Sequence, residues 1–346
     1  MKNILFFLLF IAGISYAQKK NIYKSAIIAF YNVENFYDTI ASNKYRDEEF
    51  TPKGMRNYTS TNYYSKLNNI AYVIAGIGKD AFANQVILPA LIGLAEIENE
   101  LVLNDLINHS YLRSGNYSYI HFDSKDLRGI DVALLYQPNY FKILQSRPIS
   151  VILSGKSKES KFTRDILWVE GWLDGELVDV YVNHWPSRYG GTQHSEAARL
   201  EVAQILKNHI DSIKRIDYKR KILVMGDFND NPNNTSIYNI LDAKEVKYER
   251  YNGLYNPFFN MFKNGNGTLA FQDAWSLFDQ IILSTEWIDK QQSGFYFYKS
   301  SIYNAPYLLE SSGKYKGYPM RSWEGMQFKN GYSDHLPAYI ILLKNL

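Results

Sequence analysis

The stretch KILVMGDFNDNP, residues 221–232, decides how the chain is to be understood. Residues 221–225 are mainly apolar, which is typical of a buried strand. Asp227 and Asn229 follow directly, and Pro232 closes the turn. Because ligands of α/β sheets bind at the carboxyl ends of strands, the two side chains are candidates for one pocket, in which the carboxylate orients or deprotonates a water. The competing interpretation is an ordinary Asx-rich turn.

Composition describes a globular protein and excludes thiol chemistry. The 346 residues are 46% hydrophobic and 21% charged, so there is material for a large core. The formal net charge of +3 is too small to indicate a nucleic-acid partner by itself, so an anionic substrate needs a local field or a metal. The chain has no cysteine, which rules out disulfides, thiol catalysis and thiolate zinc sites.

The amino terminus has the pattern of a secretory signal. Lys2 precedes an apolar run at 4–14, and SYA at 15–17 is a small-x-small cleavage site. The run is shorter than the roughly 20 residues that span a bilayer. We therefore expect residues 1–17 to be a signal peptide and the mature protein to be secreted or periplasmic, without a membrane span. An uncleaved anchor is the alternative.

Strand and helix patterns alternate along the rest of the chain. Apolar runs predict strands at 25–31, 86–95, 117–122, 130–136, 141–153, 166–173, 177–182, 221–225, 278–283, 294–298 and 338–343. Helical spacing predicts helices at 60–77, 98–108 and 195–213. No repeat or linker interrupts this alternation, so we expect residues 18–346 to form one α/β domain.

Polar side chains come at one end of these predicted strands. They are Asn32, Glu34, Glu96, Asn183, His184, Asp227, Asn229, Asp334 and His335. Asp279 begins its own strand, so it would reach the same edge from an antiparallel neighbour. Glu98 and Glu100 are interpreted as solvated helix charges, and Arg164 as either a substrate-side or a surface residue. Gathered at one edge, the set would form an acidic pocket with two histidines.

An acidic pocket with two histidines has the groups that hydrolysis of a phosphodiester requires. The reaction needs an oriented water, relief of charge on the phosphoryl oxygens and a proton for the leaving oxygen. Carboxylates and amides without thiolates suit a hard cation, Mg²⁺ or Mn²⁺, with Ca²⁺ as a further possibility.

The chain resembles the endonuclease/exonuclease/phosphatase superfamily, which has a DNase I-like fold. The matching segments, in family order, are FYNVEN (30–35), GLAEIEN (93–99), RGIDVALLY (128–136), VNHWPSR (182–188), MGDFND (225–230), DQIILS (279–284) and YSDHLPAY (332–339). They extend over nearly the whole mature chain. The resemblance implies a four-layered α/β sandwich in which two mixed β-sheets lie face to face, flanked by helices.

The resemblance also implies a metal centre. Its residues would be Asn32, Glu34, Glu96 and Asp334, acting directly or through water. Glu96 would be the principal carboxylate. Asp227 would orient or deprotonate the attacking water, and Asn229 would hold that water or the phosphate.

The remaining implied roles concern the phosphate. His335 would contact it or take the proton of the water, and Asp279 would fix the imidazole ring and its charge. His184 would donate to the phosphate or the leaving oxygen, with Asn183 in support. Arg128 would be a phosphate clamp, because guanidinium matches phosphate oxygens in a fork.

The sequence departs from the family pattern at two positions, and one of them bears on the function. Position 34 is Glu where many relatives have Asp, and His184 stands where abasic-site repair enzymes typically carry Tyr. The latter, with the export signal, argues against DNA repair. We expect a monomeric exported nuclease acting on DNA or RNA. The alternatives are a phosphatase or phosphodiesterase on a small or lipid phosphoester, sphingomyelinase- or inositol-phosphatase-like, and a non-catalytic binding module.

Overall fold

The structure, a computed structural model, describes residues 22–79, 81, 87–154, 162–245, 253–290 and 294–346. The predicted signal peptide, residues 1–17, lies outside the described residues. Within the described ranges, no helix combines the length and apolarity that crossing a membrane requires.

Seventeen strands and four α-helices make up the described regular structure, apart from short single-turn helices. The strands are β1 (Tyr23–Phe36), β2 (Leu91–Ile97), β3 (Ser118–His121), β4 (Asp131–Tyr136), β5 (Phe141–Ile149), β6 (Ile166–Leu173), β7 (Glu176–His184), β8 (Lys221–Asp227), β9 (Ala243–Lys244), β10 (Leu254–Tyr255), β11 (Leu269–Phe271), β12 (Ala274–Ser276), β13 (Asp279–Ser284), β14 (Tyr296–Ile302), β15 (Trp323–Glu324), β16 (Gln327–Phe328) and β17 (Ala338–Asn345). The helices are α1 (Ser60–Gly76), α2 (Glu100–Asn108), α3 (Thr192–Ile216) and α4 (Phe259–Lys263).

Two mixed sheets form the centre of the fold. The first has the strand order β14-β17-β1-β2-β4-β3, and the second β5-β6-β7-β8-β13-β10-β9. In the first, β1 runs parallel to β2 and antiparallel to β17. In the second, β8 runs parallel to β7 and antiparallel to β13. Each sheet thus has a parallel pair at its centre, whose carboxyl ends point the same way.

The alternation of side chains along β1 explains the layering. Ile28 and Phe30 belong to the core between the two sheets, whereas Ile27 and Tyr31 pack in a separate core beneath α1 and α2. A third core joins the outer face of the second sheet to α3. Successive residues of a strand point to opposite faces, so a fully apolar strand requires cover on both sides. The predicted four-layered α/β sandwich is confirmed.

Some predicted boundaries were wrong, and two of these errors touch the site. The strand predicted at 86–95 begins at Leu91 and continues through Glu96 to Ile97. The helix predicted from 98 begins at Glu100, because Asn99 caps it by accepting from the amides of residues 101 and 102.

Candidate active site

The ends of five strands and one loop converge at one edge of the sandwich. Asp279, the first residue of β13, lies directly opposite Asp227, the last residue of β8. His184 ends β7 beside Asp227 in the parallel pair. The prediction that Asp279 reaches this edge from an antiparallel neighbour is therefore confirmed, since the register places the two aspartates side by side.

Irregular backbone at these strand ends aims the side chains into the cleft. Glu34, Glu96 and Asn229 have φ values of 53°, 65° and 50°, a left-handed conformation that is uncommon outside glycine. The pairing of β1 with β2 and of β2 with β4 also shifts register here. Such bulges redirect side chains that a regular strand would send to the two faces of the sheet.

Gly226 allows β7 and β8 to approach closely beneath the site. A Cβ at this position would lie 2.6 Å from the backbone oxygen of Asn183, so a larger residue would push the strands apart. Asn183 itself is fully buried. Its amide nitrogen donates to the carbonyl of Met225, at 3.1 Å, and its oxygen accepts from the indole of Trp185, also at 3.1 Å. These bonds give Asn183 a supporting place behind His184 rather than a place in the cleft.

Asn32 links the two central carboxylates. Its amide nitrogen lies 3.0 Å from Oδ2 of Asp227 and 3.4 Å from Oε1 of Glu96. The other Glu96 oxygen accepts from the amide of Asn35 at 2.7 Å. In this orientation Asn32 is a hydrogen-bond donor between the carboxylates, and its side-chain oxygen accepts from the amide of Glu34 at 3.0 Å.

His335 and Asp279 form a buried hydrogen-bonded dyad. Nδ1 of the imidazole lies 2.7 Å from Oδ2 of Asp279, whose side chain is fully buried. Burial lowers the pKa of His335, but the charges of Asp279, Asp227 and Asp334 outweigh it, and the pKa is raised well above its ordinary value. The ring is therefore held as an imidazolium, with Nε2 3.8 Å from Oδ2 of Asp227.

His184 approaches the same aspartate from β7. Its Nε2 lies 3.7 Å from Oδ2 of Asp227 and 3.8 Å from Oε1 of Glu96. Burial, with the charges of Arg164 and Arg128, lowers the pKa of His184 well below its ordinary value. One histidine is thus neutral and the other charged. Both Nε2 atoms lie beyond hydrogen-bond distance of Asp227, so neither imidazole is hydrogen-bonded to that carboxylate.

Asp227 and Asn229 are positioned by their own turn. The amide of Asn229 donates to Oδ1 of Asp227 at 2.9 Å, and its side-chain nitrogen donates to the carbonyl of Trp185 at 3.0 Å. Burial, with the charge of Asp279 against that of His335, raises the pKa of Asp227 to about 6. A carboxylate with that pKa is a competent general base near neutral pH.

Glu34 is held by residues 322 and 323, which the sequence had not indicated as part of the site. Its carboxylate accepts from the amides of Ser322, at 2.6 Å, and Trp323, at 3.3 Å. Behind it, Nζ of the fully buried Lys66 donates to Oγ of Ser322 at 2.6 Å. Burial raises the pKa of Glu34 to about 7, and the charge of Asp334 acts in the same direction.

Lys66 is thus a cation of the site that we had not predicted. Burial lowers its pKa to about 8, against the charges of Glu34, Asp334 and Glu96. The sequence did contain an indication that this lysine is buried. Lys66 lies three residues after Tyr63 and four before Ile70, both buried, and so belongs to the apolar face of α1.

Arg321 is the second unpredicted cation. Its Nη2 lies 2.9 Å from Oδ2 of Asp334, and its Nε lies 3.8 Å from Oε1 of Glu34. The side chain is 51% exposed, so it faces the open cleft. Asp334, on the loop before β17, is fixed because the hydroxyl of Ser333 donates to the carbonyl of Asn32 at 2.7 Å.

On the opposite side, Arg128 borders the cleft and Arg164 supports it. Arg128 is 48% exposed, and its Nε lies 3.6 Å from Asp126. Of the two predicted positions of Arg164, the surface position was wrong. Arg164 is buried and donates to Asp126, at 3.1 Å, and to the carbonyl of Trp185, at 2.7 Å. It therefore ties the Arg128 loop to the segment that follows His184.

Glu98 also differs from the prediction. It is buried rather than solvated, and it accepts from the amide of Asp38 at 2.6 Å. Burial raises its pKa to about 8. The carboxyl group stabilises the turn after β1.

The residue types of the predicted metal ligands suit a hard divalent cation. Glu34, Glu96 and Asp334 offer only oxygen atoms, which Mg²⁺, Mn²⁺ and Ca²⁺ prefer. Arg321 already lies between two of these carboxylates, which shows that this corner of the site stabilises positive charge. Burial is the main cause of the raised pKa of Glu34 and the charge of Asp334 adds to it, so a cation bound here would favour the ionised carboxylate. Among the described residues at this edge, the carboxylate and histidine ligand atoms that gather within 4.8 Å are those of Asp227, Asp279 and His335, not those of Glu34, Glu96 and Asp334.

Known proteins resemble this chain in sequence and in fold. Residues 27–344 match a family model described as Endonuclease/Exonuclease/phosphatase family. No curated protein sequence matches the chain.

Solved structures share the architecture. An endonuclease/exonuclease/phosphatase family protein from Bacteroides thetaiotaomicron is 16% identical, over 94% of this chain and 100% of that one, with a TM-score of 0.55. A mannosyl-6-phosphatase from the same bacterium is 15% identical, over 92% and 99%, with a TM-score of 0.53. D. rerio TDP2 complexed with single strand DNA product is 13% identical, over 92% and 98%, with a TM-score of 0.53. At these identities the likeness shows the fold.

Proposed function

The chain belongs to the endonuclease/exonuclease/phosphatase family of hydrolases that act on phosphoester bonds, and from this we propose that it is an exported, metal-dependent phosphodiesterase that cleaves DNA or RNA. The observation that carries the proposal is the arrangement around Asp227. A neutral imidazole, a charged imidazole and an amide surround one of its oxygens, at 3.7, 3.8 and 3.0 Å.

Asp227 acts on the attacking water. Asn32 and the amide of Asn229 hold the two oxygens of its carboxylate, so the ionised group is oriented before substrate binds. With a pKa of about 6, most of it is ionised at neutral pH and accepts a proton from water.

The two histidines act on the phosphate. The His335 imidazolium, kept charged by Asp279, presents Nε2–H to a phosphoryl oxygen and stabilises the charge that develops there. The neutral His184 carries one N–H and donates to the phosphate or the leaving oxygen. Arg128 and Arg321, each about half exposed, border the cleft on either side and neutralise the phosphate of the incoming substrate.

The cation belongs beside Glu96. Glu34, Glu96 and Asp334 would hold it, with Asn32 attached through water. When bound, the cation supplies Lewis-acid charge to the phosphoryl oxygen and orients the phosphate. Mg²⁺ or Mn²⁺ is the expected ion, and Ca²⁺ has the same oxygen preference. Arg321 would give up part of its contact with Asp334 and turn toward the substrate.

The choice of nucleic acid has two supports. One is the pair of half-exposed arginines, Arg128 and Arg321, which suits a phosphate backbone. The other is the shared architecture with D. rerio TDP2, whose structure holds a single-strand DNA product. The second candidate, a phosphomonoester or small phosphodiester substrate, is favoured by the shared architecture with a mannosyl-6-phosphatase.

Export is proposed from the sequence of residues 1–17 alone, and we propose a monomer as the active form. Fractionation of cells producing the full chain, followed by amino-terminal sequencing, tests the export. A mature protein that begins at Gln18 agrees with it, and an intact Met1 in the exported fraction contradicts it.

A substrate panel tests the activity. Plasmid DNA, single-stranded DNA, RNA, sphingomyelin, phosphoinositides and a chromogenic diester are incubated with the mature protein in Mg²⁺, Mn²⁺, Ca²⁺ or EDTA. We expect cleavage of nucleic acid in Mg²⁺ or Mn²⁺ and none in EDTA. Activity that survives exhaustive chelation would contradict the metal role. Hydrolysis confined to the non-nucleic substrates would select the second candidate.

A further inference from the structure

A cavity of about 570 Å³ opens beside the metal-binding corner of the site. Asp334 and Arg321 form one end of it, and the walls come from the β11–β12 hairpin and from the segment 310–329. Its volume falls within the range of roughly 300–1,000 Å³ that is usual for pockets that bury small organic groups. No role in the chemistry described above uses this space.

The hairpin wall is attached directly to the catalytic residues. Leu269 of β11 forms a β-bridge with His335. The hydroxyl of Thr268 accepts from the amide of Asp279 at 3.2 Å, and its carbonyl accepts from Leu336 at 2.8 Å. A group that binds against the hairpin is therefore held at a fixed distance from the dyad.

The second wall is cross-linked to the first. The hydroxyl of Tyr318 donates to Asp273 at 2.7 Å and accepts from the amide of the same residue at 2.7 Å. The amide of Glu310 donates to the carbonyl of Tyr318 at 2.8 Å. Both walls thus keep their spacing without a ligand, so the cavity is preformed.

Exposed aromatic rings line this preformed space. Phe271 is 66% exposed and Tyr315 is 44% exposed, although large aromatic side chains are usually well buried. Tyr318 packs 5.7 Å from Tyr315 between ring centroids. Nζ of Lys314 lies 5.3 Å from the centroid of the Tyr315 ring, so a stacked ligand would share that ring with the lysine or displace it. Flat, solvent-exposed rings are suited to stacking on a planar ligand.

The charges of the cavity are mixed. Lys314 and Lys329 are accompanied by Asp273, Glu310 and Glu324, and Lys329 pairs with Glu324 at 3.3 Å. Such a lining does not attract a run of phosphates. Binding of an acyl chain is also unfavourable here, because the chain would remove water from these charged groups. A planar, neutral group with hydrogen-bonding edges fits both the rings and the carboxylates.

We propose that this cavity is a subsite for one unpaired nucleobase, next to the phosphate that is cleaved, so that the enzyme prefers single-stranded nucleic acid. The proposal rests on the nuclease function proposed above. In a duplex each base is stacked on its neighbours and paired, so it enters a pocket only after it has been extruded. The bases of a single strand are unpaired, so they can stack on aromatic side chains without the free-energy cost of extrusion from a duplex.

The test compares normal and abasic substrates in wild type and in a Phe271→Ala/Tyr315→Ala double variant. The mature protein is given a single-stranded oligonucleotide, the same strand made of abasic residues, and a hairpin duplex of matched length. Wild type should cleave the normal strand with a kcat/KM about 5-fold to 150-fold higher than the abasic strand, the range expected for loss of one base stack. In the double variant this ratio should fall toward one.

Two further variants separate stacking from general damage. Tyr315→Phe keeps the ring face and should retain the wild-type ratio, whereas a fall as large as in the alanine variant would overturn stacking as the mechanism. Tyr218→Ala removes a 72% exposed ring next to the start of β8, at the opposite end of that strand from Asp227, and should change nothing.

The outcomes distinguish the subsite from the function. Equal cleavage of normal and abasic strands by wild type, or a ratio that the double variant leaves unchanged, would overturn the nucleobase subsite while the nuclease function stands. Preference of wild type for the hairpin duplex over the single strand would also overturn it. Absence of metal-dependent cleavage of every nucleic acid would refute the proposed function itself.

Discussion

Replacement of Asp279 by Asn tests the buried dyad most directly. The substitution keeps the size of a fully buried side chain and removes only its charge. Asp279 lies 2.7 Å from Nδ1 of His335, and its charge is the largest of those that keep the imidazole protonated against burial. In Asp279→Asn the imidazolium loses that support, so the pKa of His335 falls.

The expected loss follows from the bond that is weakened. A buried hydrogen bond between charged groups contributes about 1.5–3 kcal/mol, and about 1.4 kcal/mol corresponds to a factor of ten. We therefore expect kcat/KM at neutral pH to fall about 10-fold to 150-fold. The deficit should shrink as pH is lowered, because acid restores the proton to His335. The alkaline limb of the pH profile should move to lower pH.

The assay is kcat/KM for a single-stranded oligonucleotide from about pH 5 to about pH 9, with saturating Mg²⁺ and a thermal melt at each pH. The matched control is Asp179→Asn. Asp179 is equally buried and accepts from Trp168 at 2.7 Å and Arg220 at 2.9 Å, but it lies near the start of β7, far from His184. The control should lose stability and keep the wild-type pH profile. A deficit in Asp279→Asn that is the same at every pH, or no deficit, would refute the reasoning.

Other predictions concern the base, the buried lysine and the pH dependence of stability. Asp227→Ala should lower kcat about 1,000-fold or more while the melting temperature stays near that of wild type, and near-normal turnover would contradict its assignment as the base. Lys66→Met removes the hydrogen bond to Ser322 and the buried positive charge that favours ionised Glu34, so in EDTA it should lose about 3 kcal/mol of unfolding free energy by urea denaturation, part of which Mg²⁺ restores; equal stability with wild type in EDTA would contradict the stabilising role of Lys66. Glu34 and Asp227 have pKa values of about 7 and about 6 in the fold, above their ordinary values, so the folded state binds more protons than the unfolded chain. The stability that these two groups contribute to metal-free protein should therefore fall as pH rises from about 4 to about 7, and Mg²⁺ should raise the melting temperature more at the upper end; a Mg²⁺ effect that is equal across this window would contradict the reasoning.

The local pattern of apolar and polar residues in the sequence was enough to predict much of the fold. In β1, fully apolar residues such as Ile27 and Ile28 occupy opposite faces, and each face meets a different core. Polar residues placed directly after such runs, as in Asp227 and His184, can only emerge at the strand ends. This is why the candidate site was visible before the structure: strand direction and the period of two are local properties of the chain.

The structure decided where the less obvious charges lie. Arg321 stands in a loop without periodicity, and its place beside Glu34 depends on strands that are distant in the sequence. Glu98 was assigned to a solvated helix, yet its burial follows from the path of the chain after β1, where the amide of Asp38 requires an acceptor. Neither position is specified by neighbouring residues.

Lys66 shows the limit most clearly. The sequence by itself determined that α1 has an apolar face and that this lysine belongs to it. Only the tertiary structure decided that the lysine keeps its charge there, because its partner Ser322 comes from 256 positions away and brings the backbone amides that hold Glu34. A buried charge is stable only with a partner, and the partner is chosen by how distant segments pack rather than by the local pattern of side chains.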